Sequence, residues 1–103
     1  MNSFERLMNE DRRLVILRVL TEDPGYRANA YVLRPALEAM GHTVSLDKLE
    51  GDLAWLAEQN LLSIERASHI TVATLTQRGA DVALGRASVP GVKRPEPCDA
   101  AGA

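Results

Sequence analysis

Two clusters of hydrogen-bonding side chains carry what chemistry this chain offers: His42, Thr43, Ser45 and Lys48, and further along Arg66, Ser68 and His69. Hydroxyls, an amine, a guanidinium and imidazoles suit phosphate oxygens and base edges better than bond-making reactions. No serine sits at a nucleophile elbow and no glycine-rich loop could cradle a phosphate. His42 and His69 stand alone, without the spacing that would pair them on a metal. Paired carboxylates occur only on helix faces expected to be solvated. The expectation is a protein that is not an enzyme and that uses no cofactor and no metal.

Local sequence signals say what positions the two clusters. Leu46, Leu49, Leu53 and Leu56 recur at helical spacing behind Ser45, an N-cap residue, and predict a helix to about Gln59. Asn60 suits its left-handed end, and Gly51 weakens its middle by about 1 kcal/mol relative to alanine. The second cluster falls at the tip of a predicted hairpin, residues 62–66 and 70–74 around Ala67-Ser68-His69. Thr76 then caps a last helix over about 77–86. Upstream, Asn29 can cap a helix ending at Met40 with Gly41 in a left-handed conformation. Pro35 costs roughly 3 kcal/mol inside a helix, so a kink is expected there, or a start near Arg34-Pro35. A first helix is signalled by Asn9-Glu10-Asp11, can be extended toward Ser3 by Phe4, Leu7 and Met8, and is stopped by Glu22-Asp23-Pro24-Gly25. Helices followed by a hairpin and a further helix give a mainly α fold with a small β-hairpin (α+β), the order of a winged helix-turn-helix.

Charge complicates that reading. The 103-residue chain has 12 basic and 14 acidic side chains and a formal charge of -2, unlike a generic nucleic-acid coat. Residues 45–60, where the reading helix should lie, carry Lys48 against Asp47, Glu50, Asp52 and Glu58. Phosphates would repel Asp47 and Asp52 unless one accepted from a cytosine amino group. Arg12, Arg13, Arg27 and Arg34 are further basic candidates, each expected to pair with a nearby carboxylate. Phe4, Tyr26, Tyr31 and Trp55 are too few for a base-stacking platform, and Trp55 reads as a packer at the edge of the core.

From Leu14 to Leu20 the first helix is apolar on nearly every side except at Arg18, which fits either contact beyond its own core or a short domain that wraps its central helix. A homodimer through Leu7, Leu14, Ile16 and Leu20 is the simplest expectation. The longest apolar run, Leu14 to Leu17, is too short for a bilayer, and the start lacks the pattern of a secretory signal. The lone Cys98 excludes an internal disulfide and suits a reducing cytoplasm. Composition divides the chain into a domain over 1–87 and a flexible Pro/Gly/Ala-rich tail over 88–103.

The segments Asp23-Pro24-Gly25-Tyr26-Arg27, Gly41-His42-Thr43-Val44-Ser45, Leu53-Ala54-Trp55-Leu56-Ala57-Glu58-Gln59-Asn60-Leu61 and Val72-Ala73-Thr74-Leu75-Thr76-Gln77-Arg78-Gly79 resemble a small winged-helix family of Mu-like phages and prophages. So does Val89-Pro90-Gly91-Val92-Lys93-Arg94-Pro95. Members are often labelled ArsR-like regulators, although metal-sensing ArsR repressors carry helical cysteines that this chain lacks. The resemblance implies a phage protein of this fold in the cytoplasm of a bacterial host. It also makes the tail a candidate docking peptide anchored by Val89 and Val92, with Lys93-Arg94 seeking acidic surface or phosphate. Two functions follow as expectations. One is binding of double-stranded DNA as a transcriptional regulator or accessory DNA-handling factor. The other is a protein-interaction module serving phage assembly or packaging through a phage or host protein partner.

Overall fold

The computed structural model describes residues 2–97. Helix α1 runs over Ser3–Glu22, followed by strand β1 (Arg27–Asn29), helices α2 (Ala30–Ala39) and α3 (Leu46–Glu58), strands β2 (Leu62–Ala67) and β3 (Ile70–Leu75), and helix α4 (Gln77–Ala83). The three strands form one antiparallel sheet in the order β1-β3-β2. Together they make the expected winged helix-turn-helix, in which α2 and α3 form the helical pair and β2–β3 the wing.

Each helix begins where a polar side chain can satisfy an otherwise orphaned backbone N–H. Asn2, Asn29, Ser45 and Thr76 accept from the backbone N–H three residues on, closing α1, α2, α3 and α4 respectively. The apolar stripe of α3 points inward as its spacing predicts: Leu49, Leu53 and Leu56 are buried against Leu14, Ile16, Leu17 and Leu20 of α1 and Leu33 and Leu37 of α2. Asn60 adopts φ 62° and turns the chain from α3 into the wing. Gly79 is required by packing, since a Cβ there would overlap the Leu61 carbonyl oxygen.

The structure corrects several expectations. The first helix begins at Ser3 with Asn2 as its cap, so the Asn9-Glu10-Asp11 signal lies inside it. Helix α2 starts at Ala30 and passes through the exposed Pro35, which overturns the start near Arg34-Pro35. Strand β1 was not expected: Arg27-Ala28-Asn29 has no strand signature and becomes a strand only by pairing with Val72, Ala73 and Thr74 of β3. The wing tip is a two-residue turn, Ser68-His69, because Ala67 already pairs with Ile70. Helix α4 stops at Ala83, and Gly85 (φ 81°) redirects the chain.

Two corrections bear on function. Packing does not end at residue 87. Val89 and Val92 belong to the core, so the chain up to Pro97 continues as a strap across the domain. The backbone N–H of Lys93 donates to the Glu10 carbonyl (3.2 Å), and Gly91 (φ 98°) lies against the Trp55 ring. The anchors foreseen for an external docking site are thus used internally. The end of the expected tail, including Cys98, lies outside the described residues. Leu14, Ile16 and Leu20 are likewise committed to the domain's own core and cannot form a dimer surface without opening it. Over residues 12–20 the domain itself covers most of α1, which accounts for the apolar character of that stretch. Of the four residues expected at a dimer interface, Leu7 alone is exposed (59 %), next to Phe4 (69 %) on the projecting first turns of α1.

Candidate nucleic-acid interface

The N-terminal half of α3 and the wing are adjacent, and a small polar network joins them. Thr71 on β3 donates its hydroxyl to Glu50 on α3, while Arg66 on β2 donates through Nη1 to Thr71 Oγ1 (2.6 Å) and Glu50 Oε1 (3.3 Å). The second Arg66 nitrogen donates to the His69 carbonyl (3.2 Å), which braces the wing tip. Ser68 takes φ 62° at that tip, and the exposed His69 ring meets Tyr31 of α2 edge to face with centroids 6.4 Å apart. The wing is therefore fixed on one side to α3 and on the other to the start of α2.

Behind α3 lies a second, buried network. Arg12 of α1 grips Asp52 through Nε (2.5 Å) and Nη2 (3.3 Å), both side chains being 4 % exposed, and also donates to Asn9 Oδ1 (2.6 Å). Arg13 Nε lies 3.7 Å from Asp52 Oδ1. The Arg13 guanidinium stacks 4.0 Å from the Trp55 ring centre and donates to the Gly91 carbonyl (3.0 Å). Two arginines expected to pair with carboxylates thus meet on one aspartate, and they join α1, α3 and the strap.

These networks change the electrostatics of α3. Of its four carboxylates, Asp52 is buried and neutralised by Arg12, and Glu50 is held by Thr71 and Arg66. Glu58 lies exposed on the last turn, far along the helix from its N-terminus. On the first two turns the outward side presents Asp47, Lys48 and Gly51. Gly51 has no packing reason to be glycine, because an added Cβ would meet nothing within 4 Å. The helix therefore carries a destabilising residue, at about 1 kcal/mol, on a face that the domain itself leaves bare.

The predicted contact residues divide accordingly. Thr43, Ser45 and Lys48 are exposed at the front of α3, though the Ser45 hydroxyl also accepts from the Lys48 N–H (3.1 Å) as a cap. Ser68 and His69 are exposed at the wing tip, and Arg66 is more than half exposed while held by its internal partners. His42 is a correction. It is 3 % exposed, its Nε2 sits 2.6 Å from Asp11 Oδ2, and its backbone N–H donates to the Leu37 carbonyl (2.8 Å). Its ring ties the turn between α2 and α3 to α1 and cannot reach a groove. Asp11 also receives Lys93 Nζ at 3.4 Å, so the same carboxylate holds the strap. Arg27 is paired with Glu65 and adds little to a positive patch, whereas Arg34 is exposed on α2 with no side-chain partner among the described residues.

This arrangement defines a winged helix-turn-helix protein. In comparisons with solved structures, the chain superposes on complex structures of hsRosR-S1 (TM-score 0.58) and hsRosR-S4 (TM-score 0.61). Each is 22 % identical, with 79 % and 82 % of this chain covered. The matched regions span 64 % and 65 % of those longer chains, and the likeness is one of fold. No family model matches the sequence. By sequence, the chain is 53 % identical over 91 residues to the uncharacterized protein gp26 of Escherichia phage Mu, covering 88 % of this chain and 94 % of gp26. It is 47 % identical over 77 residues to an uncharacterized protein of Haemophilus influenzae Rd, covering 74 % of each. The chain belongs to the family of the phage Mu protein gp26. Among the described residues, no helix is long and apolar enough to cross a membrane.

Proposed function

We propose that this phage protein binds double-stranded DNA, with the first turns of α3 in the major groove and the wing tip against the backbone, as a transcriptional regulator or accessory DNA-handling factor. The observation that carries the reading is the internal use of Asp52 and Glu50. Of the four carboxylates on α3, Asp52 is buried against Arg12, and Glu50 is paired at the surface with Arg66 and Thr71. Thr43, Ser45 and Lys48 then supply contacts at the helix front, and Arg66, Ser68 and His69 supply them at the wing. The superposition on the RosR complexes supports the scaffold.

Fluorescence anisotropy with duplexes from the phage's own promoters and genome ends tests this. Binding is expected at low salt, falling as salt rises. Lys48→Ala should weaken it by about tenfold at the preferred sites, as loss of a base contact does. No binding to any duplex at low salt overturns the reading.

The exposed Phe4 and Leu7 favour a second reading, in which α1 contributes a protein contact, to a second copy or to a phage or host partner. A homodimer would set two reading helices about one DNA turn apart. Sedimentation of the wild type and of Leu7→Glu separates the cases: a dimer lost on substitution supports self-association, and a monomer in both leaves an outside partner.

A further inference from the structure

Asp47 is the carboxylate of the α3 N-terminal half for which the domain provides no internal partner: it is exposed on the first turn and makes no hydrogen bond or ion pair among the described residues. Its neighbour Lys48 is also exposed. One turn further, at Gly51, there is no side chain and open space beyond the backbone. On the DNA-binding reading proposed above, on which this inference rests, that turn enters the major groove between two rows of phosphates. A carboxylate there is repelled unless it accepts a hydrogen bond from a base, and the donors available are cytosine N4 and adenine N6. On adenine the neighbouring N7 is an acceptor and opposes a carboxylate. On cytosine no acceptor adjoins the amino group on the same base, and the paired guanine offers O6 and N7 to a cation.

We infer that Asp47 is a specificity residue that accepts from the N4 amino group of cytosine in a C·G pair, with Lys48 donating to the guanine edge. The bare backbone at Gly51 lets the helix come close enough for the short aspartate side chain to reach. Asp47 then lowers affinity for duplexes in general and restores it at sites that present a cytosine amino group at one position.

The test is selection of the full-length wild type, Asp47→Ala and Lys48→Ala from a randomised duplex pool, with melting temperatures recorded in parallel. The wild type should enrich a motif containing a C·G pair at which replacement by A·T costs about tenfold in affinity. Asp47→Ala should cut the preference at that position to about threefold, the rest being held by Lys48 on the guanine edge, keep the other positions and bind random duplex more tightly, while Lys48→Ala should relax the same position and weaken binding. A motif unchanged in Asp47→Ala, or one lacking a C·G pair, overturns the assignment while leaving DNA binding intact. A carboxylate that served only the positive end of the helix would shift the melting temperature and not the motif. A wild type that binds no duplex defeats the DNA reading itself, and this inference with it.

Discussion

The inner and outer sides of α3 differ in how much of the molecule holds them. On the inner side Leu49, Leu53 and Leu56 fill the core, Asp52 is clasped by Arg12, and Trp55 lies under both Arg13 and Gly91. On the outer side, over the first two turns, Asp47 makes no hydrogen bond or ion pair among the described residues, a Cβ at Gly51 would meet nothing within 4 Å, and Lys48 borders a shallow cleft against Phe4, Met8 and Arg12 of α1. Carboxylates five residues apart, Asp47 and Asp52, therefore have opposite fates. Helical geometry turns one to solvent and the other into the body of the domain. A charge count along the helix treats them as equals, but the surface potential that a phosphate would meet does not.

The contrast can be broken most severely from the inner side. Arg12→Ala leaves the Asp52 carboxylate buried without its main partner and should cost about 3–5 kcal/mol of stability, read by urea denaturation. Loss of less than about 1 kcal/mol would show that water reaches Asp52 and that the inner side is not sealed. Two glycine substitutions then compare the sides directly. Gly91→Ala forces a left-handed residue with a side chain against Trp55, its Cβ 2.7 Å from the ring, and should destabilise by about 1–2 kcal/mol or more. Gly51→Ala places a methyl in open space within a helix and should stabilise by about 1 kcal/mol. The opposite signs, measured as shifts in the denaturation midpoint, are the sharpest check. If Gly51→Ala also weakens duplex binding while raising stability, the bare patch serves a partner and not the fold.

The fold was largely legible because its determinants are local. Capping residues, the leucine period, Pro24-Gly25 and the left-handed Asn60 each act within a few residues, and α2, α3, the wing and the α4 cap fall where those signals lie. The elements misjudged depend on partners far along the chain. Strand β1 exists because β3 offers it an edge. Residues 88–97 read as a tail because two valines among three prolines, a glycine and charged residues cannot order a segment alone. They become a strap only because α1 and Trp55 present a surface to cover. His42 illustrates the limit for the site: at the front of the reading helix it has the chemistry of a phosphate contact, and a carboxylate 31 residues earlier on α1 takes its ring instead.

Sequence alone determined the caps at which α2, α3 and α4 begin, which side of α3 is apolar, and the family resemblance to Mu-like phage proteins, since all three depend on residue identity and near-neighbour spacing. Only the tertiary structure decided which charges remain visible. Whether Asp52 or Asp47 faces outward, whether Arg66 is tethered, and whether Val92 is an anchor for a partner or part of the core are settled by elements meeting across the fold. Desolvation and ion pairing follow from those meetings, and one-dimensional spacing does not encode them.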